Sequence, residues 1–493
     1  MATHRTSARE FVDLVVDEGT FHSWNRPAPA PADPVYAAEL AQARERSGLD
    51  EAVLTGRARL DGHEVVLVVG EFAFLGGSVG HATSDLVLRA VTRATDARLP
   101  LLVAPCSGGT RMQEGTAAFV QMVKIAHAVQ THRRAGLPYL VHLRHPTTGG
   151  VLASWGSLGQ YTTAEPGALV GFLGPRAQQA ITGEQLPEGV QRAENLQSRG
   201  IVDAVVPDAQ LRGVWARLLA ALGTPAVEAP SIDREDSTLA VAADSWEAVQ
   251  ASRQDQRPGL AELVHWQTSD VVWFSGAGDG TVDGAVRAGL ARIAGRSVVL
   301  VGHDRTVPVE ERAVTPAGLR LAQRAYRLAA ELGLAVVNVI DTPGAALSQQ
   351  AEEGALAAEI ARTLGLLADL EVPTVSVLLG QGGGGAALAL LPADRTLCAA
   401  NGWLAPLPPE GASAILHRDG SRADEMARRH RLSAADLHAD GVVHEVLGEP
   451  SPMDGEVFSA VVAEAVGRHL AELEALEPAL RLELRHERFR LLG

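Results

Sequence analysis

The chain states one pattern twice. Around Leu99 it reads L-P-L-L-V-A-P-C-S-G-G (99–109), and around Leu334 it reads L-A-V-V-N-V-I-D-T-P-G (334–344). Further on, L-P-Y-L-V-H-L-R-H-P-T-T-G-G (137–150) is answered by V-P-T-V-S-V-L-L-G-Q-G-G-G-G (372–385). Gly109 and Gly150 stand 41 residues apart, as do Gly344 and Gly385, so a single offset of 235 relates both pairs. Self-similarity at a fixed offset means duplicated architecture. In each copy an apolar run ends at glycine, a helical stretch follows, and a second apolar run ends at a glycine pair. A strand that ends in glycines and feeds a helix leaves backbone N–H groups unpaired, and such groups can stabilise an oxyanion. Two copies predict two such sites.

A length of 493 residues accommodates two domains, each with its own core. Strand and helix alternate in both halves, so the predicted class is α/β with right-handed crossovers. The opening R-E-F-V-D-L-V-V-D-E-G-T after Thr6-Ser7 reads as a peripheral capped helix stopping at Gly19. From Gly223 to about Ser245 the sequence is rich in Pro, Ala, Asp and Glu with weak periodicity. It is read as a linker (223–245) between domains 1–222 and 246–493.

Charge and residue usage exclude several functions. A formal net charge of −16 argues against nucleic acid and anionic membranes, although a local basic pocket can still hold phosphates. The two cysteines, Cys106 and Cys398, form neither a metal ribbon nor a disulfide framework. No apolar run is long enough to span a bilayer and the start carries no signal-peptide core, so the expected location is cytoplasmic. Lys124 is the sole lysine. A phosphate-binding P-loop is therefore absent. Lys124 also lies in a helical pattern rather than at an exposed hairpin, so any biotin must arrive on another protein.

The first half resembles the beta subunit of bacterial acetyl-CoA carboxylase carboxyltransferase. The resemblance rests on F-L-G-G-S-V-G (74–80), S-G-G-T-R-M-Q-E-G (107–115), P-T-T-G-G-V-L-A-S (146–154), A-E-P-G-A-L-V-G-F-L-G-P-R (164–176) and G-I-V-D-A-V-V (200–206). The second half resembles the alpha subunit of the same enzyme through V-G-H (301–303), T-P-A-G-L-R-L-A-Q-R (315–324), D-T-P-G-A (341–345), G-Q-G-G-G-G-A-A-L-A-L (380–390) and P-P-E-G-A-S-A-I-L (408–416). The resemblance implies tandem crotonase-like (ClpP/crotonase) spiral domains related by pseudo-symmetry. The beta-type domain would serve the acyl-CoA side and the alpha-type domain the biotin side. Several positions depart from the family pattern. The chain lacks the four-cysteine ribbon of many beta subunits, so no metal is carried over. S-G-A-G-D-G (275–280) stands where H-G-D-R is usual, Ala346-Leu347-Ser348 where Y-P-G is usual, and His444 where the closing G-I-V-D has its aspartate.

The implied reaction moves a carboxyl group from carboxybiotin, borne by a biotin carboxyl carrier protein and loaded by a biotin carboxylase, to a short acyl-CoA such as acetyl- or propionyl-CoA. Charge then develops on a thioester oxygen and on a biotin ureido oxygen. Fixed backbone donors suit both. The resemblance places the first hole at the N–H groups of Gly149 and Gly150, supported by Ser107, Gly108, Gly109 and Thr110. It places the second at Gly385 and Ala386, supported by Gly344 and Ala345. Gly76, Gly77, Gly174 and Gly384 complete the substrate turns, and Leu388 is a candidate lining residue for the acyl pocket. Arg111 and Arg176 either meet CoA phosphates or order the loops. Lys124 reads as helix surface, His145 as a structural histidine, Glu114 as a helix N-terminal charge and Cys106 as a buried small residue. The family needs no side-chain base. It also implies an oligomer, at least a dimer, in which the CoA half of one protomer faces the biotin half of another. The rival readings are a biotin-independent decarboxylase or hydratase with one hole, a non-catalytic scaffold subunit, and a Ser107 hydrolase.

Overall fold

The structure is a computed structural model that describes residues 5–27, 31–223, 239–240 and 244–492. The chain divides into two compact units, one running to Leu219 together with Gly278–Gly280, the other comprising Ala220–Ala277 and Thr281 onward. The first boundary falls inside the helix Asp208–Leu222. Most of the 223–245 segment expected to be a linker lies outside the described residues.

In the first unit a seven-stranded sheet runs His22–Ser23, Val53–Leu60, His63–Gly70, Leu101–Ala104, Tyr139–Leu143, Tyr161–Ala164, Ala204–Val205. The first three strands are antiparallel; from His63–Gly70 onward each pairing is parallel. Strands buried on both faces read as near-continuous apolar runs. Val65 to Val69, Leu101 to Ala104 and Tyr139 to Val141 are accordingly almost fully buried. The N-terminal helix is shorter than expected, Ala8–Val15, and Ser7 and Glu10 form its capping box. It is not peripheral either. Phe11 is fully buried and stacks on His142, with Trp215 edge-on to both.

The second unit repeats the plan as an eight-stranded sheet. Thr268–Trp273, Val286–Ile293 and Arg296–His303 are antiparallel; Ala335–Thr342, Thr374–Gly383, Arg395–Ala399 and Glu445–Leu447 continue parallel, and Trp403–Ala405 pairs Thr374–Gly383 off the main path. The two sheets agree residue by residue. Leu101 pairs Tyr139 in the first and Val336 pairs Thr374 in the second, both shifted by 235. Each sheet therefore delivers its glycine turns to the same end of the same two central strands. The altered closing motif is accommodated in place. Asp203 accepts from Thr162 N–H at 2.9 Å, and in the other unit His444 Nδ1 accepts from Thr396 N–H at 2.9 Å. Histidine thus does the aspartate's work as a neutral acceptor. Burial, with Arg488 and Arg395 nearby, pushes its pKa down to about 4.

Candidate active site

Each unit builds its site where the fourth and fifth strands of the shared plan end. In the first, the chain leaves Leu101–Ala104 and is pinned amide by amide. Ser107 N–H donates to Pro146 O (2.7 Å), Gly108 N–H to Gly76 O (2.9 Å) and Gly109 N–H to Ser107 Oγ (3.0 Å). Thr148 N–H returns to Ser107 O (2.9 Å), locking this turn to the next. That next turn opens the helix Gly149–Leu152. Gly109 (φ 115°) and Gly149 (φ 63°) occupy backbone regions that side chains resist, and they touch: a Cβ on Gly149 would lie 3.3 Å from Gly109 Cα.

The second unit reproduces this construction. Gly344 N–H donates to Thr342 Oγ1 (3.2 Å), with φ 140° at Gly344 and 59° at Gly384, where the helix Gly384–Ala389 begins. The flanking bonds also match. Val79 N–H donates to Gly109 O and Arg111 N–H to Val79 O; Val314 N–H donates to Gly344 O and Ala346 N–H to Val314 O. All three residues and their counterparts are 235 apart.

Two expected donors do not survive this inventory. Gly149 N–H is spent on Phe172 O at 2.9 Å. Ala386 is fully buried, so no substrate oxygen reaches its amide. Each site retains one half-exposed amide in the first turn of its helix, Gly150 or Gly385, where no intrahelical acceptor exists. A second amide without an acceptor lies in the adjoining turn. Thr110 N–H and Ala345 N–H, each flanked by bonded amides, meet no acceptor among the described residues. Thr110 Oγ1 would lie 3.2 Å from a Cβ on Gly150, which places the two segments side by side. The amides left open side by side are therefore those of Thr110 with Gly150 and of Ala345 with Gly385. The 235 offset already held this answer, because it maps Ala386 onto Val151 rather than onto a glycine.

The surrounding residues sort into struts and open surface. Arg111 is a correction: it cannot meet a CoA phosphate. Its guanidinium is buried, pairs bidentately with Glu51 (2.9 and 2.8 Å), and gives its remaining N–H groups to Tyr36, Thr83 and Ser78. It orders the loop instead. Gly77 is packing as well, since a Cβ there would sit 1.9 Å from Cys106 O, and its N–H donates to Phe74 O. Glu114 accepts from Tyr36 Oη (2.5 Å) and from His81 N–H (2.7 Å), so it seals the start of the helix His81–Asp96. Burial works against ionisation there, but these bonds hold its carboxyl below the usual range. His145 Nδ1 accepts Leu169 N–H, and burial lowers its pKa. The Cys106 thiol donates to His145 O and is pushed up to about 12 by burial. Ser107 Oγ accepts Gly109 N–H in a buried turn and has no histidine partner among the described residues, which speaks against the hydrolase reading. Lys124 is exposed on its helix.

Gly174 precedes the helix Pro175–Thr182, with nothing within 4 Å of a Cβ; the Arg176 side chain is outside the described set. Leu388 is exposed three residues after Gly385, on the same helix face. Asp341, which opens D-T-P-G-A, stands near the end of the strand Ala335–Thr342. Its buried carboxylate accepts Gln381 N–H (2.9 Å) and Arg305 (3.0 Å), fixing the strand that carries the second glycine turn. Burial raises its pKa against the pull of Arg305.

Paired glycine helix starts on two crotonase-like spiral domains define a class of enzyme that works on acyl thioesters through backbone donors. Residues 230–493 match the family model described as acetyl co-enzyme A carboxylase carboxyltransferase-like. Over 494 residues the chain is 49% identical to a Mycobacterium tuberculosis protein named as a probable biotin-dependent acyl-coenzyme A carboxylase beta3 subunit, covering 99% of each. It is 40% identical over 518 residues to the Salinispora arenicola acetyl-coenzyme A carboxylase carboxyl transferase subunits beta/alpha, covering 100% of this chain and 91% of the relative. In fold it matches the transcarboxylase 12S core, solved with methylmalonyl-coenzyme A bound, at a TM-score of 0.77 and 20% identity, over 96% of this chain and 90% of that one. The chain belongs to the carboxyltransferase family of the biotin-dependent acyl-CoA carboxylases. Among the described residues no helix is long and apolar enough to cross a membrane.

Proposed function

We propose that this chain transfers a carboxyl group to a short acyl-CoA, acetyl- or propionyl-CoA, using the first site for the thioester and the second for biotin on a carrier protein. The observation that carries the proposal is the duplication of one donor arrangement, matched in φ, register and hydrogen bonding at a constant offset of 235. A lyase needs one oxyanion site and a scaffold needs none, so the second conserved geometry favours transfer between two charge-developing oxygens. Thr110 and Gly150 N–H would stabilise the enolate oxygen as the substrate loses its α-proton. Each fixed donor contributes about 3 kcal/mol, or roughly 10²–10³ in rate. Ala345 and Gly385, both half-exposed, would present their N–H groups to the ureido oxygen, the second oxygen on which charge develops. When bound, carboxybiotin supplies the carboxyl group and afterwards a nitrogen that accepts the substrate proton. No side chain of this chain is then required as a base, consistent with the bonded states of His145, Glu114 and Cys106.

Self-association is part of the proposal. The exposed apolar residues of the two units recur at the same offset: Met112 with Leu347, Phe172 with Leu407, Ile181 with Leu416. Exposed apolar surface repeated on both units suits a two-fold contact between copies, and we assign the protein to at least a dimer working in the cytoplasm. The test is reconstitution. With bicarbonate, ATP, a biotin carboxylase and a biotinylated carrier, the chain should carboxylate acetyl- or propionyl-CoA, and avidin should abolish the reaction. Carboxylation by the chain alone, or avidin-resistant turnover, would refute it.

A further inference from the structure

We propose that Arg257 and Arg305 are positioning residues of the second site, where they brace a bulge that aims the Gly385 amide; the use of that amide for biotin rests on the function proposed above. The bulge lies in the strand Thr374–Gly383. Ile340 pairs Leu378 but Thr342 pairs Gly382, so Asp341 alone faces Leu379, Gly380 and Gln381. A bulge breaks the ladder and bends its strand. This one also changes the strand's neighbour. Val375–Leu378 pair with Arg395–Cys398, whereas Gln381–Gly383 pair with Trp403–Ala405. The helix that carries Gly385 begins at once, at Gly384. The direction of that amide is therefore set at the bulge.

Two buried ion pairs take up the backbone groups that the bulge leaves over. Arg257 pairs bidentately with Glu449 (2.6 and 2.7 Å), and its Nη2 also donates to Leu379 O (2.8 Å). Arg305 Nη1 holds Asp341 Oδ2 (3.0 Å), and Asp341 Oδ1 accepts Gln381 N–H (2.9 Å). Gly380 makes room between them, since a Cβ there would lie 2.5 Å from Asp341 Oδ1. Each pair is tied back to another segment. Arg305 Nη2 donates to Ser252 O and Gln254 O, and Glu449 accepts both N–H and Nδ2 of Asn401. All four charged side chains are buried.

The bulge itself does not require charge. The first unit gains the same two residues, for Val103 pairs Val141 but Ser107 pairs Thr147. There the Thr147 hydroxyl serves Arg144 O and the Cys106 thiol serves His145 O; Pro146, in the place of Gln381, has no N–H to satisfy. Buried ion pairs add little net stability over neutral packing. What a bidentate guanidinium adds is direction, which lysine does not copy. Direction matters at a donor amide, because a displacement of about 1 Å can cost roughly 10²-fold in rate.

The test compares the full chain with Arg257→Lys, Asp341→Asn, Arg305→Met and Arg305→Lys. Arg485→Lys is the control: it alters a buried ion pair with Asp394 at the other end of the same strand, where Asp394 accepts Thr374 N–H. Hydrogen exchange of the peptide 378–388 reads the bulge without substrate, and steady-state kinetics with the partner components read the site. Arg257→Lys, Asp341→Asn and Arg305→Met should each speed exchange of that peptide at least tenfold. Each should also lower kcat/KM for the biotinylated carrier at least tenfold, with the KM for acyl-CoA within twofold of the wild type. Arg305→Lys keeps a cation beside Asp341 and should stay within threefold on both readings. Arg485→Lys should stay within twofold on both while lowering the urea midpoint. An equal kinetic loss in Arg485→Lys, or an acyl-CoA KM that rises in step, would mean a merely structural role and overturns the proposal. Faster exchange without the kinetic loss overturns it too, as does the loss without faster exchange. Failure of the wild-type chain to carboxylate any acyl-CoA would instead refute the proposed function, and unchanged exchange in Arg257→Lys would still overturn the brace.

Discussion

Replacing His444 with aspartate should make the second unit resistant to mild acid. His444 Nδ1 accepts Thr396 N–H, so the ring must be neutral; a proton on that nitrogen would set two donors face to face. Burial comes first in holding the pKa near 4, followed by Arg488 and Arg395, with His469, itself bonded to Glu445, adding to the effect. The unfolded chain takes up the proton near pH 6.5 while the folded chain refuses it until about 4. The sign follows. Stability from this group is complete above pH 6.5 and is lost as pH falls towards 4, by at most about 3 kcal/mol in all and about 2 kcal/mol by pH 5. Aspartate at 444 would copy Asp203, keep the amide satisfied and gain from both arginines, so its contribution would persist to well below pH 5. Urea unfolding at pH 7.5 and 5.0, followed on the second unit's transition, gives the loss for each protein. The wild type should lose roughly 2 kcal/mol more than His444→Asp. Equal losses would mean that His444 does not stay neutral in the folded chain.

Valine at Gly150 should abolish use of the acyl-CoA while sparing decarboxylation of carboxybiotin, and valine at Gly385 should do the reverse; equal loss of CoA binding in both would overturn the assignment of sites. Mixed dimers of these two variants should recover up to about a quarter of the activity if sites are shared between copies, and none if each protomer is self-contained. Alanine at Gly77, where φ is 64° and a Cβ would strike Cys106 O, should cost more than about 2 kcal/mol in thermal or urea unfolding. Alanine at Gly174, with open space, should stay within about 0.5 kcal/mol. Arg111→Ala strands the Glu51 carboxylate and should destabilise by about 3–5 kcal/mol. A CoA KM that rises tenfold without that destabilisation would restore Arg111 as a phosphate ligand.

Much of this architecture was legible because backbone needs leave marks in the sequence. Gly109, Gly149, Gly344 and Gly384 all sit at positive φ, so the turns announce themselves as glycine, and the constant offset shows that the strands between them keep register. What glycine does not announce is whether its N–H is free. Gly149 and Gly150 look alike in sequence, yet a carbonyl from Phe172, more than twenty residues on, occupies one amide and leaves the other open. The fate of Arg111 was hidden for the same reason. Its partners Glu51, Tyr36 and Thr83 come from three separate segments, and no local pattern brings them together. The helix Ala8–Val15 reads as peripheral in sequence because its burial depends on His142 and Trp215, both remote along the chain.

The two units also show why such a fold tolerates wide divergence around an invariant centre. Where charge is held by amides, a site demands backbone conformation and one side-chain oxygen to pin it; Ser107 supplies that oxygen in the first unit and Thr342 in the second. The residues underneath are free to change. Cys106, a buried thiol, stands where Asp341 pairs with Arg305 and anchors Gln381; Arg111 stands where the second unit has Ala346. One copy is braced by a buried ion pair from outside its strands, the other by a carboxylate inside a strand, and the turn is the same. Different bracing goes with a different surface beside each turn, with Leu388 exposed on the helix that opens at the second. On the proposed function, a single repeated turn accepts two unlike substrates, because each presents an oxygen to be stabilised and the recognition lies in what surrounds the turn.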